Sequence, residues 1–275
     1  MNAHRFPFAL VLLTALAGCG RSEAKSTAVA AREIADLIIA LTPPPATSIP
    51  VVKSEYFATR KRTLERLRLA SQAHGLEALR VYREEPPSLP EVRAGLLDVA
   101  AHAAPAATEE LLVELTTTFG EDMMVRREAT ELLGECVPAR AIQVLEPILR
   151  EQYDGRTYPP EDRMLEAWIR AKVTRKEDPT ELVARIATDL QRTQDVRHLA
   201  TRALGQHDTP LARQALETLL VESSGNGYIR RIALQSLLAI LPREAYCELV
   251  KRIQSREADT DFIVFLERAL ETSCR

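Results

Sequence analysis

Aromatic residues are scarce in this 275-residue chain, at 5%, with one tryptophan, Trp168, and only ten glycines. That scarcity argues against a sheet-rich domain, where aromatics are enriched, and against glycine-rich low-complexity chain. No charge sign dominates: 36 basic residues face 39 acidic ones, for a formal net charge of −3. A weakly acidic chain lacks the electrostatic footprint that gathers nucleic acid, so no nucleic-acid partner is expected. Histidines are few and dispersed, at His4, His74, His102, His198 and His207, with no His-Glu-x-x-His or Cys-x-x-Cys spacing. No metal and no cofactor are expected from that pattern. Nucleophile-elbow, Walker and dinucleotide motifs are also missing, so no catalytic residue is assigned.

What remains is 46% hydrophobic, mainly leucine and alanine, and 27% charged. Leucine and alanine lose little on entering a helix, and the expected fold class is all-α. The one long apolar run, residues 6–17, follows a short start containing Arg5 and is shorter than the ~20 residues of a membrane span. A basic start, a short apolar core and small residues after it read as an export signal. The four residues Leu16-Ala17-Gly18-Cys19 resemble the bacterial lipobox, in which the cysteine is lipidated after cleavage. That resemblance implies a signal over residues 1–18, palmitate-type lipid on Cys19 and a lipoprotein held on a bilayer without crossing it. Gly20 stands where an aspartate would favour inner-membrane retention, which implies an outer-membrane anchor facing the periplasm.

Residues 19–53 read as a tether. It holds a short helix with Ile34, Leu37, Ile38 and Leu41 on one face, stopped by Pro43-Pro44-Pro45. From residue 54 to 275 a unit recurs, starting at Val92-Arg93, Val125-Arg126, Met164-Leu165, Val196-Arg197 and Ile229-Arg230. A proline follows each start, at Pro105, Pro138, Pro179, Pro210 and Pro242, and opens a second helix, because the first helical position needs no amide. Apolar residues three and four apart, such as Val125, Ala129, Leu132, Leu133 and Cys136, mark the buried face of each first helix. Residues 56–70 and 73–82 read as an N-terminal helix pair, 261–270 as a closing helix, and 153–160 as a projecting loop. Pairs of this kind bury their faces only by stacking, so an αα-superhelix is expected.

The segments at 125–134 (Val-Arg-Arg-Glu-Ala-Thr-Glu-Leu-Leu-Gly) and 196–205 (Val-Arg-His-Leu-Ala-Thr-Arg-Ala-Leu-Gly) resemble the HEAT-like repeats also found in phycobilisome lyases. The resemblance implies a HEAT-type α-solenoid over roughly residues 55–272. It also implies a ladder in which the unit arginine pairs with a turn acid, Arg126 with Asp122 being the candidate. The unit at 164 has lost the arginine.

In such stacks the first helices line a concave surface. The positions two and six after each start place Arg127, Glu131, His198, Arg202, Arg231 and Gln235 there as candidate protein-binding residues. Trp168 reads as core, with a partner anchor as the alternative. In an oxidising compartment Cys247 and Cys274, on consecutive antiparallel helices, form the candidate disulfide, while Cys136 reads as a small buried hydrophobe. The function expected is a membrane-anchored, non-catalytic scaffold or adaptor of the cell envelope, with an unidentified protein or peptide partner. Two alternatives stand beside it: a structural envelope protein with no specific client, and a lyase-like or other enzyme built on the repeats.

Overall fold

A computed structural model describes residues 26–44, 50–151, 158–221 and 227–274. Every regular element among them is an α-helix, so the fold is all-α. In chain order these are α1 (26–41), α2 (Pro50–Arg68), α3 (Gln72–Glu84), α4 (Pro90–Ala103), α5 (Pro105–Thr117), α6 (Met123–Cys136) and α7 (Pro138–Arg150). There follow α8 (Glu161–Thr174), α9 (Thr180–Thr188), α10 (Gln194–Leu204), α11 (Pro210–Val221), α12 (Gly227–Ile240), α13 (Arg243–Gln254) and α14 (Thr260–Ser273). None is long and apolar enough to cross a membrane among the described residues. The chain divides into two compact units within α7, after Ala141.

In the first unit α4 is the centre, packed by α2, α3, α5 and α6. Its nine buried residues, Val92 and the unbroken run from Ala94 through Ala101, show why: alanine and Gly95 let neighbours come close on several sides. A β-carbon on Gly95 would run into the Leu41 side chain, so the end of α1 lies directly on α4. Ala30, Ile34, Leu37 and Leu41 are all buried, Tyr56 donates its hydroxyl to the Leu41 carbonyl at 2.8 Å, and Glu33 lies 3.3 Å from His74. The expected tether helix is therefore corrected. Its apolar face is covered by the first unit, at ~1.5–3 kcal/mol per fully buried large side chain, and the folded body reaches back to residue 26.

In the second unit the first helices α8, α10 and α12 pack in sequence, as do the second helices α9 and α11, and each second helix also contacts the next first helix. That is the stacking expected of an αα-superhelix. The closing helix, α14, lies against α12 and α13 and so takes the place of one more first helix. Its C-terminal end is tied to the start of α13: Arg243 donates to the Ser273 carbonyl at 2.8 Å, and Cys247 is disulfide-bonded to Cys274, with Cα atoms 5.8 Å apart. The proline starts hold at Pro105, Pro138 and Pro210, while Pro179 and Pro242 stand one residue before their helices. Thr209 caps α11 through the Ala212 amide, and Asp178 accepts from the Thr180 amide at 2.8 Å.

The unit arginines share a contact that the ladder expectation did not include. Asp122 caps α6 by accepting from the Met124 amide at 2.8 Å. Arg126 is 1% exposed and donates Nε to the Leu115 carbonyl, near the end of α5. Arg197 does the same to Ala187 at the end of α9, and Arg230 to Leu220 at the end of α11. A cation there meets the carbonyls that a helix end leaves unpaired, and also the negative end of the helix dipole. The unit at 164 lacks its arginine, but the carbonyls are not abandoned. Arg192, in the turn before α10, donates to the Leu149 and Glu151 carbonyls at the end of α7 and pairs with buried Glu161.

Candidate interaction surface

The outward positions of the first helices differ between the units. In the first unit, Asp98 stands six places after the Val92 start and is only 2% exposed. Arg68, at the end of α2, donates Nε to both its carboxylate oxygens at 2.9 Å. One turn along α4, His102 sets Nδ1 3.1 Å from that carboxylate and 2.9 Å from the Asp98 carbonyl oxygen, and Nε2 3.3 Å from Glu135. The ring also hydrogen-bonds with the Cys136 thiol. The Asp98 carboxylate, followed by Cys136, pushes the His102 pKa up to about 11. Across from them Glu128 is pushed up to about 7, first by burial and then by the negative charges of Asp98 and Glu131.

This cluster looks at first like catalytic machinery, with a thiol, an imidazole and a carboxylate on neighbouring helices. The geometry also fits a structural role: the Asp98 carboxylate, which raises the imidazole pKa, and Glu135 both sit as acceptors around the ring. Its donors and the surrounding acceptors satisfy one another, which is the pattern of an ion network that fixes α2, α4 and α6. Sequence reasoning passed over it, although Asp98 and His102 four apart on one helix were the available signal. Cys136 is half-buried, and so differs from the buried hydrophobe expected.

The six candidate binding residues fall on separate helices. Arg127 and Glu131 are one turn apart on α6 of the first unit, both half-buried. The other four belong to the second unit. His198 is half-buried, its ring centroid 5.0 Å from that of Tyr228. Arg231 is exposed and lies over the Phe265 ring, while Gln235 and Arg202 are exposed.

Arg202 lines a cleft of ≈ 410 Å³ between α8 and α10. Ile169, Val173, Leu199 and Ala203 supply its apolar wall; Glu166, Arg170 and Gln206 complete it. Val173 is 53% exposed, although apolar. Arg170 stands at the same offset from Met164 as Arg202 does from Val196, so the divergent unit keeps its outward cation after losing its structural one. The degenerate sequence at 164 hid this equivalence.

Trp168 is the opposite case and corrects the anchor alternative. It is 1% exposed, donates Nε1 to Glu146 at 3.3 Å, and has the Lys172 ammonium 5.5 Å from its ring centroid. A side chain so enclosed offers nothing to a partner. Cys19 and most of the expected loop at 153–160 lie outside the described residues. Among the described residues no group of three His, Cys, Asp or Glu side chains is placed to hold a metal ion.

No family model matches the sequence, and no curated protein does. One solved structure, human deoxyhypusine hydroxylase in complex with glycerol, aligns over 88% of this chain and 96% of its own, at 16% identity and a TM-score of 0.35. A likeness that slight carries nothing about activity.

Proposed function

We propose that this protein is a HEAT-like repeat scaffold of the bacterial cell envelope, anchored by lipid on Cys19, that acts by binding a protein or peptide and performs no chemistry itself. One observation carries the reading: the cleft between α8 and α10 presents an exposed arginine beside exposed apolar surface. Exposed apolar surface beside an arginine is the ordinary composition of a recognition surface. The repeat arginines support the same reading, because their burial at helix ends assigns them to the fold and separates them from the outward residues. The lipobox-like segment supports attachment facing the periplasm.

In-cell crosslinking from isolated membranes tests the proposal. A specific partner should be recovered with the unaltered chain. Nothing above background in repeated captures would overturn the scaffold reading. Cys19→Ser tests the anchor separately, since membrane association that does not change would remove lipidation.

A further inference from the structure

We infer that the pit between α11 and α13 is a binding site for a small monocarboxylate with a compact aliphatic body. It goes beyond the scaffold reading, since the occupant is a small molecule and the site lies away from the α8–α10 cleft. The starting point is a break in the stacking. The second helices α9 and α11 lie side by side, but α13 packs less closely on α11. The space between them is a pit of ≈ 320 Å³, near the small end of the ~300–1,000 Å³ range of ligand sites. Buried Leu220 and Leu249 line it, and half-buried Ile253 completes an aliphatic wall.

Its polar groups are guanidiniums at two depths. Arg230 lines the pit with a side chain only 8% exposed. The Leu220 carbonyl takes its Nε and Glu257 takes its Nη2. Nη1 makes no hydrogen bond among the described residues, and Asp259 lies 4.0 Å from it, beyond bonding reach. A buried donor without an acceptor stands to gain from any acceptor that reaches it. Arg256, exposed at the rim, has no acidic partner among the described residues. The acids of the pit are already engaged. Glu257 accepts from Arg230 and from the Ala258 and Asp259 amides, and Glu217 stands 3.5 Å from Arg252. Carbonyls at the ends of α11 and α13 would repel an anion, but Arg230, Ser255 and the Arg256 amide bond those of Leu220, Arg252 and Ile253. Three arginines, 230, 252 and 256, against two glutamates, 217 and 257, leave one positive charge in the lining. A monoanion balances it. A carboxylate fits best, because its two oxygens can accept from both Nη1 and Arg256 while an aliphatic body displaces water from the leucines.

Titration calorimetry on the full-length protein provides the test, with octanoate and octylammonium as probes, each kept below the concentration at which it forms micelles. Octanoate should bind one to one, and at least ~10-fold tighter than octylammonium. Hexanoate should bind more weakly, by about fourfold for each methylene removed. Arg256→Glu should weaken octanoate at least ~10-fold, with an unchanged melting curve because the side chain is exposed. Ile253→Ala should weaken it several-fold and keep the preference for the carboxylate. Equal affinity for the two probes, several octanoates per chain, or an octanoate affinity untouched by Arg256→Glu would overturn the inference. So would tighter binding of an acetylated tripeptide ending in leucine, which would make the occupant a chain terminus. The purified chain suffices for every arm, so loss of the scaffold reading leaves this result unchanged.

Discussion

The two units are built from the same helix pairs but treat their outward charges in opposite ways. In the first unit Asp98, His102, Arg68 and Glu135 are engaged with one another, and Asp98 is nearly out of water. In the second, Arg202 and Gln235 are left to solvent, and Arg231 rests only on an aromatic ring. The same repeat offset therefore yields a structural acid in one place and a solvent-exposed cation in another. Repeat position fixes where a side chain emerges; its neighbours decide what it does.

The contrast is sharpest under mutation. Asp98→Ala should cost about 3 kcal/mol in chemical denaturation, because it leaves the His102 imidazolium and half-exposed Arg68 without their shared partner. A loss within ~0.5 kcal/mol would place Asp98 with the outward residues and erase the difference between the units. Cys247→Ser removes the covalent tie between α13 and α14, which closes a separation of 27 residues. Chain-entropy reasoning gives about 2–4 kcal/mol, read as earlier proteolysis of α14; an unchanged digestion pattern would count against it.

Glu128 gives a smaller effect with a definite pH signature. Its folded pKa of about 7 lies above the ordinary carboxylate value, so the folded state holds its proton longer than the unfolded chain. Stability is then lost as pH rises from about 4.5 to 7, and the loss is complete above that. Glu128→Gln should gain about 1–3 kcal/mol at pH 8 and almost nothing at pH 4. A gain of equal size at both values would reject burial of the charge as the cause. His102 runs the other way: its stabilising effect is present below its unfolded pKa and fades as pH climbs through about 11. Smallest of all is Arg202→Ala, which should move stability by no more than ~0.5 kcal/mol. A larger loss would show that this arginine, too, belongs to the fold.

Much of the fold was legible because helix pairs announce themselves through spacing. Val196, Ala200, Ala203 and Leu204 are buried as their periodicity requires, and so are Ile229, Ala233 and Leu237. Cys247 and Cys274 were readable for the same reason, once α13 and α14 were seen as neighbours in sequence. The buried guanidinium was not legible. An arginine beside an aspartate in sequence suggests a pair, whereas Arg126 reaches a carbonyl eleven residues earlier, which only the three-dimensional fold brings close. Nor could α1 be placed, since an amphipathic helix before prolines looks the same whether its apolar face is covered or not. Trp168 followed the commoner fate of a lone tryptophan in a helical core. The cleft itself needed both helices, because Arg170 lies in the unit whose repeat signature is worn away.

Arg192 has a kinetic consequence. One guanidinium holds the last carbonyls of α7 and the buried acid at the start of α8, from the turn that leads into α10. Opening of the turn that carries Arg192 releases both of the other segments at once. Their amides should therefore exchange with solvent as a single cooperative block, and the repeat with the least recognisable sequence should breathe in concert with its neighbours.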